Sequence, residues 1–386
     1  MIMRTRQQTT GSSRGIGAKA LALSLITLSA GACGRGLFSS SSSSSGAAGG
    51  AGTVRSVYVT NFADGKVSAL NRNTVTGALT SPATIASGSI NGPGGLAVTP
   101  SLTALYVANA ADKKIHEFTL SANGNLSNLA TIATGVSPQQ LVVIPNGSFA
   151  YAINSGGSIS EYTVNATSGE LTANTTASTT SGLTLPVSGT ATNSFLYVTD
   201  QGAGVVLSFK INTNGLLASG PASTASLGVP NQILIDPTGT FVFVSDGSGG
   251  KVSLLQVSGS GLNFINSVPT SAPGTAEAGL AYLATGSSKF IYCADQAANS
   301  VSVFLFDAVA QTLTLTSASP AGAVNAPIGL AVDPAGANLY VANSGDGTIT
   351  QLTINSTTGA LSNTVSFATE NPANAGSAPD FILVTG

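Results

Sequence analysis

The chain has 386 residues but only 13 basic and 15 acidic ones, so charge is scarce for its length. Four of the bases lie in the first 33 residues, where there is no acid, and the rest of the chain has nine bases against 15 acids. This balance excludes a basic nucleic-acid-binding surface. A single histidine and two cysteines cannot supply the side chains of a zinc finger, an iron–sulfur cluster or a histidine-based metal centre, and we expect no metal or other cofactor.

Residues 1–33 have the pattern of a bacterial export signal, with bases up to Lys19, an apolar stretch over 20–28 and small residues up to Cys33. The apolar stretch is too short to span a bilayer. The small residues directly before Cys33 resemble the bacterial lipobox, whose cysteine becomes lipid-modified and N-terminal after cleavage. Ala30 stands where a lipobox usually has leucine, so ordinary cleavage that releases a secreted protein is the alternative. We expect a cell-envelope lipoprotein whose only membrane contact is a lipid at Cys33.

Residues 34–55 are rich in serine, glycine and alanine, including an unbroken serine run over 39–45. Such a segment cannot bury a core and predicts a flexible tether. If Cys33 carries a lipid, Cys293 has no disulfide partner. Because Cys293 lies in an apolar strand pattern, we expect a buried and inert thiol.

Beyond the tether, a short apolar strand that ends in Asn or Asp recurs seven times, with its aromatic positions 45 to 49 residues apart. The copies are 57–61, 105–109, 150–154, 196–200, 242–246, 291–295 and 339–343. This period suits a four-stranded propeller blade and is too long for leucine-rich or ankyrin repeats. The sequence therefore predicts an all-β, seven-bladed β-propeller over residues 56–386.

Each repeat also contains an apolar run after a proline, an alternating strand and a glycine-bearing turn before a weakly apolar edge strand. The domain opens on the second strand of a blade and closes on an inner-type strand, 381–384. We therefore expect this last strand to become the innermost strand of the first blade, whose other strands come from Ser56 to about Ile85. That pairing would close the ring without a covalent bond.

The repeats are similar to those of the lactonase-type seven-bladed propellers, or YVTN-repeat proteins. The similarity lies in the Tyr-Val-Thr-Asn strand at 58–61, in the Tyr-Val-Ala-Asn strands at 106–109 and 340–343, and in turns such as Thr-Gly-Ala-Leu at 76–79. The resemblance spans residues 56–386. It implies the propeller fold. The enzymatic members resemble 6-phosphogluconolactonase, a cytosolic enzyme that hydrolyses a phosphorylated sugar lactone with polar and charged groups at the channel mouth. Such a substrate calls for Arg or Lys, and lactone opening calls for a general base.

The residues that begin the predicted inner strands include no Arg, Lys or His. The polar residues there are Gln139, Gln140, Asn231, Gln232, Glu277 and Asp380. The four amides are our candidate ligand-binding residues, and they suit a neutral polar ligand such as a sugar or a glycan end. The alternative is that they cap strands and hold channel water.

Two other sets of polar residues have structural explanations. The Asn or Asp that ends each repeated strand could form a ring of ligands, but the start of a hairpin is where a short side chain accepts a local backbone N–H. Lys113, Lys114, His116 and Glu117 are the densest charge cluster after the signal. Strand alternation puts His116 and Glu117 on opposite faces, so this cluster predicts a solvated blade rim.

Two functions from different classes remain open at this point. The first is a lipid-tethered binding or scaffold module outside the cytoplasm, which presents its loops to a polar small molecule, a glycan or a protein. The second is a lactonase-like hydrolase that opens an unphosphorylated lactone, with Glu277 or Asp380 activating water. Scarce charge and the single histidine favour the first.

Overall fold

A computed structural model describes residues 53–63, 65–85, 92–174, 180–224, 226–272, 277–369 and 379–385. The chain divides into two units, Met1–Gly31 and Ala32–Gly386, and every described residue belongs to the second. The predicted signal, Cys33 and the tether up to residue 52 lie outside the described residues. The first strand begins at Thr53, slightly before the predicted start of the propeller at Ser56.

Seven antiparallel sheets follow one another in a ring, each with four strand positions, which confirms the predicted all-β seven-bladed propeller. The inner strands, from blade 1 to blade 7, are Pro379–Val384, Pro93–Val98, Pro138–Val143, Pro186–Ala191, Pro230–Ile235, Glu277–Thr285 and Pro327–Val332. The second strands, in the same order, are Thr53–Asn61, Ala104–Asn109, Phe149–Asn154, Phe195–Asp200, Phe241–Asp246, Ser288–Asp295 and Asn338–Asn343.

The third and outer strands complete each blade. The third strands are Lys66–Asn73, Lys114–Leu120, Ser158–Val164, Val205–Lys210, Lys251–Ser258, Ser300–Asp307 and Thr348–Ile354. The outer strands are Leu79–Ile85, Leu126–Ala133, the pair Leu171–Ala173 and Thr180–Ser181, Ala222–Ser223, Gly261–Pro269, Thr312–Ala318 and Leu361–Ala368. In the described chain the only helical element is a single 3-10 turn, Gln296–Ala298, and no helix is long and apolar enough to cross a membrane.

The ring closes as predicted, because the last strand pairs with the first. Pro379–Val384 lies antiparallel to Thr53–Asn61, with Leu383 opposite Tyr58. The backbone N–H of Phe381 also donates to the Thr60 hydroxyl, 3.1 Å away. Blade 1 is therefore built from both ends of the propeller sequence.

The core consists of apolar layers between neighbouring blades. One such layer joins Tyr58 and Leu383 of blade 1 to Leu96, Leu105 and Phe118 of blade 2. Burial on both faces explains why the inner and second strands are continuous apolar runs rather than alternating ones. Cys293 lies in another of these layers and is fully buried, as expected.

Tyrosines of the second strands add a repeated polar bond between blades. Five of these hydroxyls donate to a glycine carbonyl in the hairpin between the third and outer strands of the next blade. The pairs are Tyr58 with Gly124, Tyr106 with Gly169, Tyr151 with Gly215, Tyr292 with Gly359 and Tyr340 with Gly77. The hydroxyl of Tyr197 is buried without a partner, and blade 5 has Phe243 at this position. The motif tyrosine thus serves blade packing rather than a ligand.

Candidate functional site

The candidate site is the end of the ring where all seven inner strands begin, which we call the front mouth. Each inner strand has a register shift against its neighbour near its start, so that an extra residue bulges there. The predicted polar residues fall on these bulges. Gln139, Asn231 and Asp380 directly follow the first proline of their strands, and Gln140 and Gln232 come one residue later.

Gln140 in blade 3 and Gln232 in blade 5 each accept a backbone hydrogen bond from the inner strand of the next blade. The Oε1 of Gln140 accepts the backbone N–H of Gly189 in the next blade at 2.7 Å, and the Oε1 of Gln232 accepts that of Leu280. Both side chains are buried, and neither Nε2 has a hydrogen-bond partner. Each of these two amides therefore links its inner strand to that of the next blade through its oxygen, and its nitrogen remains a donor without a partner.

Gln139 and Asn231 are held more locally. The Nε2 of Gln139 donates to the Ser137 carbonyl at 3.3 Å and to the Ser155 hydroxyl at 3.2 Å, both in its own blade. Asn231 is 5 % exposed, and its carbonyl accepts the Thr199 hydroxyl of the preceding blade at 2.8 Å. These contacts agree with the strand-capping alternative as well as with a ligand site.

In blades 4 and 5 a hydroxyl of the second strand bonds to the backbone at the bulge of the inner strand. In blade 5 the Ser245 hydroxyl accepts the N–H of Gln232 at 3.0 Å and donates to the carbonyl of Ala278 in blade 6 at 2.9 Å. Thr199 makes the same pair of bonds between blades 4 and 5. The Thr or Ser of the repeated strand motif is therefore a link between blades at the front mouth, a role that the sequence reasoning missed.

Asp380 is the unusual residue of the front mouth. Its side chain is 3 % exposed, and neither carboxylate oxygen has a hydrogen-bond partner. Burial raises the pKa of this carboxyl well above its usual range. Because a buried ionised carboxylate without a partner is very costly, burial favours the protonated form of Asp380.

Glu277 opens the inner strand of blade 6, but its side chain lies outside the described residues. Its backbone is in register with Asp295 of the second strand, at the same end of the blade as Asp380 in blade 1. The structure therefore places the Glu277 backbone at the front mouth, and its suggested role as a base stays a prediction.

The charge cluster of blade 2 is solvated only in part. Lys113 and Lys114 are exposed, as expected, but the expectation was wrong for His116 and Glu117. Glu117 is 1 % exposed, and its Oε2 accepts the N–H of Leu171 in blade 3 at 2.8 Å. His116 is also buried and lies on the opposite face, where its Nε2 is 2.8 Å from the Oδ2 of Asp112. Desolvation raises the pKa of Glu117 to about 7, because blade 3 packs over its carboxyl group.

The Asn and Asp residues that end the second strands are buried and engaged in structural bonds. Asp246 accepts the N–H groups of Ser248 and Gly249 in its own hairpin, as expected. Asp295 instead accepts hydroxyls of Ser271, Ser300 and Ser302 through one oxygen. Among the described residues, no group of three or more His, Cys, Asp or Glu could hold a metal ion.

Fold and site together define a seven-bladed β-propeller whose inner strands begin without Arg, Lys or His and whose front mouth carries the unpartnered carboxyl of Asp380. The family model for "Lactonase, 7-bladed beta-propeller" matches residues 56–375, so the chain belongs to this family. A search of curated proteins found no match.

Solved structures show the same fold at low sequence identity. A provisionally assigned 6-phosphogluconolactonase of Bacteroides fragilis is 19 % identical, with a TM-score of 0.71, over 86 % of this chain and 98 % of that one. The periplasmic gluconolactonase of Pseudomonas aeruginosa is 14 % identical, with a TM-score of 0.72, over 85 % of this chain and 98 % of that one. A Lactobacillus plantarum protein is 17 % identical, with a TM-score of 0.72, over 86 % and 99 % of the two chains.

Proposed function

We propose that this chain is a lactonase-type hydrolase that opens a neutral lactone at the front mouth. Membership of the lactonase family supports hydrolysis over the binding-module hypothesis. The observation that carries the proposal is the buried carboxyl of Asp380, both of whose oxygens lack a partner. Native proteins rarely leave such a group unsatisfied, and strongly perturbed carboxyls concentrate at functional sites.

The raised pKa of Asp380 makes it an acid at the start of the reaction. The oxygen of a water molecule bonds to the lactone carbonyl carbon, and the ring carbon–oxygen bond breaks. The Asp380 proton passes to the departing ring oxygen, and the carboxylate that remains takes a proton from the attacking water. The product is a hydroxy acid, and Asp380 regains its starting form.

Two further donors fit the same reaction. The Nε2 groups of Gln140 and Gln232 are buried and unpartnered, and they lie at equivalent positions of inner strands that begin at the front mouth. Amide donors that are fixed in advance stabilise the negative charge that develops on a carbonyl oxygen during attack. Their Oε1 bonds to the neighbouring inner strands hold these side chains in place.

A neutral substrate fits this mouth better than a phosphorylated one. None of the residues that begin the inner strands is Arg, Lys or His, so nothing at that level pairs with a phosphate. The surplus of acids beyond the signal also disfavours anions. We therefore infer an unphosphorylated sugar lactone as the substrate class.

The binding or scaffold module is the second candidate, and one observation favours it. Asp380 is 3 % exposed, and the side-chain oxygens of Gln140 and Gln232 already accept hydrogen bonds. A ligand bound at the front mouth would therefore contact no solvated base among these residues. A glycan or another polar molecule would then bind without turnover. The two candidates differ in whether the bound molecule is hydrolysed.

The proposal is tested with the full chain in detergent, assayed on glucono-1,5-lactone and on 6-phosphogluconolactone against spontaneous hydrolysis. We expect acceleration with the neutral lactone and a loss of about 100-fold or more in Asp380→Asn. Asp307→Asn, which removes an exposed carboxylate far from the front mouth, is the matched control and should keep full activity. Saturable calorimetric binding without turnover would establish the binding module instead, and a preference for the phosphorylated lactone would overturn the neutral substrate.

We further propose that the chain is exported and anchored through a lipid on Cys33. The support is the signal-like pattern over residues 1–33 and the serine-rich segment that follows it. The similar gluconolactonase of Pseudomonas aeruginosa is described as periplasmic, which agrees with an extracytoplasmic lactonase. A phosphorylated sugar lactone is a cytosolic metabolite in the family's enzymes, so export also favours an unphosphorylated substrate.

A further inference from the structure

The opposite end of the ring, where the inner strands end, contains a cavity of about 400 Å³. We call this end the back mouth. The cavity is formed by the last residues of the inner strands of blades 1 to 5 and by the turns that follow most of them. Its volume lies within the range of roughly 300–1,000 Å³ that is typical of small-molecule sites.

The wall of this cavity contains a band of aliphatic side chains. Val98, Val143, Ala191, Ile235 and Val384 are the last residues of their inner strands, and all five line the cavity. Each of the five blades therefore contributes an apolar side chain at the same level. These five side chains form an apolar band in a lining that also contains threonines, Asn193 and Asp236.

The one acidic residue in the lining is already satisfied. The Oδ1 of Asp236 accepts the N–H groups of Thr240 and Phe241 at 2.8 and 2.7 Å, and its Oδ2 accepts the hydroxyl and the N–H of Thr238. These bonds close the turn that follows the inner strand of blade 5. The Asp236 carboxylate is therefore committed to its own turn.

The hydroxyls of two lining threonines are committed in the same way. The Oγ1 of Thr99 accepts the N–H groups of Thr103 and Ala104, and the Oγ1 of Thr192 accepts those of Ser194 and Phe195. No Lys, Arg or His lines the cavity. The lining therefore offers apolar contact and no free charge.

We propose that the back-mouth cavity binds a compact neutral molecule with an apolar body. Water against the aliphatic band would lose hydrogen bonds, whereas an apolar molecule would gain contact there and lose exposure to solvent. An ion would find no partner. This site goes beyond the proposed lactonase, since its residues and its chemistry differ from those of the front mouth.

The two sites lie at opposite ends of the same strands. An inner strand such as Pro138–Val143 has six residues, which corresponds to a length of about 16 Å between the two mouths. The polar groups of the front mouth therefore do not reach the cavity. A molecule bound at the back mouth is not the substrate held near Asp380.

The test uses the neutral fluorophore N-phenyl-1-naphthylamine, titrated into the full chain. We expect saturable fluorescence enhancement in the wild type and a loss of affinity of about tenfold in Ala191→Phe, which fills the cavity. Ala310→Phe adds the same ring at an exposed turn and should bind like the wild type. Val143→Thr is the second variant in case Ala191→Phe does not fold. It keeps the side-chain volume and adds a hydroxyl, and we expect it to bind the fluorophore about fivefold more weakly.

The outcomes separate this site from the lactonase. Asp380→Asn should bind the fluorophore like the wild type even where it has lost activity, because it belongs to the front mouth. Absence of saturable binding by the wild type would overturn the cavity site. So would equal binding by wild type, Ala191→Phe and Val143→Thr, because the fluorophore would then bind elsewhere.

Discussion

The hydroxyl of Tyr340 donates a 2.6 Å hydrogen bond to the carbonyl oxygen of Gly77, which lies 263 residues earlier in the chain. The bond joins blade 7 to blade 1, next to the pairing of the last strand with the first. A positive φ of 73° at Gly77 forms the hairpin that presents this carbonyl, a conformation that suits glycine. Closure of the ring therefore rests on a side-chain bond as well as on strand pairing.

The interblade tyrosine bonds should contribute measurably to stability. We expect Tyr340→Phe to lower the free energy of unfolding by about 1–2 kcal/mol, because it removes the bond and leaves the Gly77 carbonyl buried without its donor. Tyr197→Phe is the matched control, since the Tyr197 hydroxyl has no partner, and it should be neutral or slightly stabilising. Urea denaturation of both variants measures the difference. Equal losses would show that the bond contributes nothing.

The closing strand should hold the whole ring together. Deleting residues 379–386 removes the inner strand of blade 1 and exposes the edge of Thr53–Asn61 and the apolar layer around Tyr58. We expect a large drop in the denaturation midpoint for the entire propeller rather than fraying at one end. Circular dichroism and intrinsic tyrosine fluorescence should report the same lowered transition. An unchanged midpoint would contradict noncovalent closure by this strand.

Glu117 should make stability depend on pH. Its pKa of about 7 in the folded chain exceeds its ordinary value of 4.5, so between these values the folded state binds a proton that the unfolded state has released. The free energy of unfolding should therefore fall as pH rises from about 4.5 to about 7, by roughly 3 kcal/mol at most. Asp380, whose pKa is also raised, acts in the same direction. The contribution of Glu117 is therefore measured as the difference in pH dependence between the wild type and a variant that lacks this carboxyl.

The variant Glu117→Gln keeps an acceptor for the Leu171 N–H and removes the titration. Gln351 stands at the equivalent position of blade 7, which shows that this site accommodates an amide. We expect urea denaturation at pH 5 and pH 7.5 to show a smaller change in Glu117→Gln than in the wild type. The same change in both proteins would mean that Glu117 does not titrate in this range.

Membrane attachment should depend on Cys33. We expect Cys33→Ser to move the protein from the membrane fraction to the soluble fraction, because a lipid would supply the anchor. Incorporation of labelled palmitate by the wild type and not by the variant measures the modification directly. A wild type that incorporates no label and is recovered in solution would support ordinary secretion.

The repeated pattern made the fold predictable because every blade carries the same signals at nearly the same spacing. The contacts of the site were less accessible, since they join residues of different blades. Glu117 meets Leu171, 54 residues later, and Gln140 meets Gly189, 49 residues later. A strand pattern reports which side chains share a face, but not what the next blade brings against that face. This is why Glu117 was predicted to be solvated and is in fact buried.

The measurement that tests the central claim most directly is the pH dependence of kcat/KM for a neutral lactone, corrected for spontaneous hydrolysis. If Asp380 works as an acid, activity should be constant at low pH and should fall as pH rises through its raised pKa, because only the protonated form donates. Asp380→Asn should show a residual rate without this fall. A wild-type profile that rises with pH through the same region, or a variant with the wild-type profile, would contradict the assignment of Asp380.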